Sequence, residues 1–66
     1  MLYIDTFSYN DYDNVVRFLM RHNVPIANRN KMKMVIAAEI SNELADQMQN
    51  EVDFEDMISI RETPLG

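Results

Sequence analysis

The sequence contains no cysteine and no tryptophan, one histidine (His22), one glycine (Gly66) and two prolines (Pro25 and Pro64). Without cysteine the chain forms no disulfide and offers no thiolate to a metal. One imidazole is too few for a zinc cage. The only glycine is the last residue, so no glycine-rich loop cradles a phosphate. No Ser/His/Asp set has the spacing of a nucleophilic triad. The carboxylate clusters Asp11/Asp13 and Asp53/Glu55/Asp56 lack the regular ligand positions and central glycine of a calcium loop. These absences point to a non-catalytic chain, with no cofactor and no metal. No apolar run approaches the roughly 20 residues of a membrane span. The opening "MLYIDTF" has neither a basic segment nor a long apolar stretch, so it does not read as a signal peptide. The expectation is a cytoplasmic protein without a membrane partner.

What is present fits one small domain over residues 1–66, ending in a short tail, 62–66. A chain of this length buries only roughly 60% of its unfolded surface, so its core is marginal. Natural chains of this size often add disulfides, a metal or a partner subunit. The first two are excluded, which leaves a homo-oligomer, such as a homodimer, or docking on a larger protein. Apolar residues make up 47% and charged residues 26%, which suits a folded domain. The net charge of −5 is unevenly spread. Arg17, Arg21, Arg29, Lys31 and Lys33 fall in residues 14–33, where there is no Asp or Glu. Residues 39–62 carry eight carboxylates against Arg61 alone. Such halves are either two solvated faces or a dipolar surface that steers a charged partner or pairs head-to-tail.

The pattern of residues gives the elements. Residues 2–7, "LYIDTF", read as a strand. Ser8 or Asn10 is placed to cap a helix over 10–22, whose apolar stripe is Tyr12, Val15, Val16, Leu19 and Met20. "VPIAN", 24–28, is a short strand that Pro25 confines to a sheet edge. Asn28-Arg29-Asn30 is turn chemistry, and 31–40 alternates as the strongest strand. Ser41 caps a second helix with Leu44, Ala45, Met48 and Val52 on its apolar face. "MISIR", 57–61, alternates again. The order β-α-β-β-α-β predicts an α+β fold, a ferredoxin-like plait: a four-stranded antiparallel sheet with two helices on one face. The expected strand order is 4-1-3-2.

In that arrangement Met32, Met34, Ile36, Ala38 and Ile40 would face the core. The open face would carry Tyr3 and Phe7 from the first strand, then Lys31, Lys33 and Val35, then Met57 and Arg61. These are the candidate partner-binding residues. A second candidate surface is acidic: Glu43, Asp46 and Glu51 on the helix, then Asp53, Glu55 and Asp56. It would act as a nucleic-acid mimic, presenting carboxylates to a basic groove. Six methionines in 66 residues serve mostly as filler for an irregular core. An exposed apolar patch on the sheet marks a partner site.

Two resemblances bear on function. "LYIDTF" resembles the first ribonucleoprotein motif of RNA-recognition domains. The likeness implies that Tyr3 stacks on a base while Lys31, Lys33 and Arg61 meet phosphates. The companion motif is absent, since that family places aromatics where this chain has Lys31 and Lys33. The net charge also has the wrong sign, so nucleic acid is not the expected partner. Residues 35–62 resemble the second half of the subtilisin-propeptide inhibitors, a strand leading through a Ser-capped helix into a strand. That likeness implies that the tail "ETPLG" enters a protease cleft. The expected function is a small protein-binding domain, an inhibitor or adaptor that regulates a larger protein of its own cell or host.

Overall fold

A computed structural model describes residues 1–63. The elements are β1 (Leu2–Asp5), α1 (Tyr9–Arg21), β2 (Ile26–Asn30), β3 (Val35–Ala38), α2 (Asn42–Glu51) and β4 (Ser59–Arg61). Residues 64–66 of the expected tail lie outside the described residues. The four strands form one antiparallel sheet in the order β2-β3-β1-β4, which reads 4-1-3-2 from the opposite edge. The fold is therefore of the α+β class. β2 lies at one edge, and Pro25 immediately precedes it.

Both helices pack on the same sheet face. Leu2 and Ile4 of β1 lie opposite Ala38 and Ile36 of β3, and all four join one buried cluster. Helix α1 adds Val15, Phe18 and Leu19, and α2 adds Ala45 and Met48. Each large side chain so buried contributes about 1.5–3 kcal/mol. Phe18, which falls outside the expected helical stripe, is among the most buried residues. Met20, expected in the core, is 64% exposed.

The caps explain the helix limits. Ser8 has an extended backbone, and its Oγ accepts from the Asp11 N–H at 3.1 Å. At the other end the Asn23 N–H donates to the Met20 carbonyl, and the Val24 N–H to that of Leu19. This is a Schellman ending, and Asn23 takes its left-handed position at φ 56°. Ser41 caps α2 in the same way as Ser8, accepting from the Leu44 N–H at 3.1 Å.

The expected strand over 31–40 is corrected at its start. Residues 31–34 are a turn, and β3 begins at Val35. The Asn30 Oδ1 accepts from the Lys33 N–H, and the Lys31 carbonyl from the Met34 N–H, both at 3.1 Å. Local hydrogen bonding of this kind competes with a strand ladder. Met34 sits at φ 58°, held because its carbonyl accepts both the N–H and the Oγ1–H of Thr6 at 2.9 Å. Met32 is consequently at the hairpin tip, 87% exposed, and does not reach the core.

Asp11 is fully buried. It stands three residues after the Ser8 cap, the spacing of a capping box. Its carboxylate turns instead to the loop between α2 and β4. The Glu55 N–H donates to Oδ1 at 2.8 Å and the Asp56 N–H to Oδ2 at 2.9 Å. Removing the carboxylate would leave those donors without a partner. Asp11→Ala should destabilise the fold by about 1–3 kcal/mol, read as a lower urea midpoint at unchanged slope. Asp13→Ala, which loses only a half-exposed ion pair, should stay within about 1 kcal/mol. Equal midpoints for the two variants would refute the role given to Asp11.

Candidate functional site

The sheet face away from the helices is uncovered among the described residues, and strand register arranges its side chains in rows. One row runs Arg61, Tyr3, Ala37, Asn28 across β4, β1, β3 and β2. The next runs Ser59, Asp5, Val35, Asn30. The alternation of a strand puts these residues on one face and Leu2, Ile4, Ile36 and Ala38 on the other.

A bulge shapes the β2 end of these rows. The register between β2 and β3 shifts between Ile26 and Asn28. Ile26 pairs with Ala38 on the helix side, but Asn28 pairs with Ala37 on the open side. Without the extra residue the two would share a face. The bulge thus delivers Asn28 and Asn30 to the open face and returns Arg29 to the helix side, opposite Ile36.

The centre of the face is a shallow groove of about 270 Å³. Ala37 and Val35 lie within it, Tyr3 and Arg61 flank one side, and Asn28, Asn30 and Lys33 the other. Arg61 is fixed by a fork of hydrogen bonds to Asp5. Its Nε donates to Oδ2 at 2.5 Å and its Nη2 to Oδ1 at 2.9 Å. A third bond runs from Nη1 to the Thr63 carbonyl at 2.6 Å. The guanidinium lies 5.5 Å from the Tyr3 ring centroid, within cation–π range. The hydrogen bond to Asp5 raises the Arg61 pKa above its ordinary value, against the opposing effect of burial and with added pull from the Asp5 charge. A raised cationic pKa stabilises the fold below the ordinary arginine value and loses that effect only above it. Arg61 is therefore charged at any ordinary pH. Asp5 answers its charge, which leaves Lys33 as the unpaired cation of the groove among the described residues.

The candidate residues separate into groups. Tyr3, Lys33, Val35 and Arg61 come together at the groove. Lys31 does not join them, because the turn breaks the strand alternation. Its Nζ lies 3.5 Å from the Asp13 carboxylate on α1, on the helix side. Met57 precedes β4 and is 85% exposed beside Val52, Phe54 and Ile58, in a separate depression. Phe7 lies beyond the end of β1, exposed. Asn28 and Asn30 were not among the expected residues, since their turn chemistry hid a strand; only the bulge places them.

The acidic candidates are partly engaged within the fold. Glu51 pairs with Arg21 at 3.1 Å and accepts from Gln47 at 3.1 Å. Glu55 accepts from Asn10 Nδ2 at 2.8 Å. Glu43, Asp46, Asp53 and Asp56 are exposed and have no side-chain partner among the described residues. His22 caps α1 and packs on Phe18, with ring centroids 4.3 Å apart. No three His, Asp or Glu side chains converge as metal ligands among the described residues, and no helix there is long and apolar enough to cross a membrane. No protein-family model, curated protein or solved structure matches the chain.

Asp5→Asn should loosen the Arg61 fork without unfolding the sheet. The expected result is faster solvent exchange of the Arg61 Nε–H by NMR, with backbone shifts confined to β1 and β4. An unchanged exchange rate would show that Asp5 does not hold the guanidinium.

Proposed function

We propose that this chain is a small, non-catalytic protein-binding domain of the ferredoxin-like plait type, acting as an inhibitor or adaptor of a larger protein in the cytoplasm of its cell or host. The observation that carries the reading is the uncovered sheet face. It offers an aromatic ring, a held guanidinium, small apolar residues and one unanswered ammonium group around a shallow groove. Tyrosine and arginine are the residues in which interface energy concentrates. Arg61 is held in place by Asp5 before any partner arrives, so little of its freedom remains to be lost on binding. A second copy of the chain is one such partner. Light scattering at high concentration tests it, and a clean monomer rules out self-association.

One observation favours a second reading. Tyr3 lies in the middle of the open face, where the likeness to RNA-recognition domains puts a base-stacking ring, with Asn28, Asn30 and Lys33 across the groove. Ala37 on the neighbouring central strand supplies no second platform, which is why protein is the preferred partner.

Capture from native lysate separates the readings. The chain should retain a specific protein that Tyr3→Ala and Lys33→Glu each weaken at least tenfold, while Glu43→Lys with Asp46→Lys leaves it bound. Loss only in the α2 variant would move the function to the acidic surface. Labelled single-stranded RNA should not bind even at low salt, where phosphate contacts are strongest. Binding that Tyr3→Ala abolishes would establish the second reading instead.

A further inference from the structure

A second concave surface lies on the other side of the sheet, between α1 and the free edge of β2. Two depressions run along it and share Arg29. The first is formed by Met20 of α1 with Ile26 and Ala27 of β2, and it reaches Asn28 at the edge of the sheet. The second is formed by Tyr12, Asp13 and Val16 of α1 with Lys31 past the end of β2. Residues 12/13, 16 and 20 follow one helical stripe, so a single face of α1 lines the whole groove. The side of β2 away from β3 has no neighbouring strand among the described residues. Met20 is 64% exposed there, a large apolar side chain left uncovered among the described residues.

We propose that this groove binds an extended acidic peptide from a partner protein, as a strand added to the edge of β2. Three features choose that occupant. Met20 lines one depression and Val16 the other, one helical turn apart on α1, about 6 Å at helix rise. Alternate side chains of an extended guest repeat at nearly that distance, so one enters beside Met20 and the next beside Val16. The charge selects an acid. Arg29 lines both depressions and Lys31 the second, while Asp13, paired with Lys31, is the one lining carboxylate. Arg29 points to this side because of the bulge and has no ion pair among the described residues. The same charge disfavours a second copy paired β2 to β2, which would bring Arg29 and Lys31 of both chains together. Pro25 and the bulge also blunt the first half of β2, so pairing is confined to Asn28–Asn30 and is short.

The test is an NMR titration of the full chain at low salt with an acetylated eight-residue peptide alternating glutamate and valine. Saturable shifts are expected in the amides of Asn28, Arg29 and Asn30 and in the Met20 methyl. A peptide alternating lysine and valine should produce none. Arg29→Glu should weaken the acidic peptide at least tenfold while keeping the remaining spectrum. Should that variant fail to fold, Arg29→Gln with Lys31→Gln replaces it. Absence of saturable shifts at millimolar peptide overturns the proposal, as does an equal response to the lysine peptide. Shifts centred on Tyr3 and Arg61 would assign the acid to the open face instead. A single-stranded DNA octamer giving the same shifts would also overturn it, because charge alone would then suffice.

Discussion

A carboxylate without solvent access is costly unless hydrogen bonds replace the water it gives up. Asp11 meets that condition with two backbone N–H groups from one loop. The position suits a negative charge, since it lies in the first turn of α1, at the positive end of the helix dipole. The consequence reaches well beyond the helix. Fixing Glu55 and Asp56 sets where the chain leaves α2 and how it enters β4. β4 is only Ser59–Arg61, too short to hold its place by ladder bonds alone. Its arrival beside β1 brings Arg61 to Asp5 and Tyr3. The open face therefore depends on a side chain buried on the opposite layer.

The two candidate surfaces follow from one bulge. The extra residue at Ala27 divides β2 between the layers, sending Asn28 and Asn30 to the open face and Arg29 toward α1. The turn after β2 divides the two lysines in the same way, Lys33 to the open face and Lys31 to Asp13. Of the cations in residues 14–33, Arg29 and Lys31 therefore stand at the groove on the helix side, Lys33 stands on the sheet side, and Arg21 turns to Glu51 of α2. This dispersal weakens the view of the lysine pair as one phosphate-binding unit.

Much of this was legible in the residues. The kinds and order of elements follow from periodicity and from the Ser8 and Ser41 caps, and Pro25 marks an edge. Tyr3, Val35 and Arg61 share a face because strand alternation carries over from β1, β3 and β4, and Lys33 reaches that face from the turn before β3. The errors have physical causes. Lys31 to Met34 alternates like a strand, but Asn30 bonds to the Lys33 N–H and closes a turn first. A bulge leaves no signature in a single sequence when the extra residue is alanine. Asp11 reads as an ordinary first-turn acid because its partners are backbone groups more than forty residues away.

Native-state amide hydrogen exchange measures the Asp11 clasp directly. The Glu55 and Asp56 side chains are exposed and both residues lie outside any helix or strand, so their amides would ordinarily exchange within the loop range. The account predicts protection of these two N–H groups approaching that of β1, with the protection lost in Asp11→Ala. Exchange of Glu55 and Asp56 at the rate of the neighbouring Asp53 amide in the unaltered chain would contradict it.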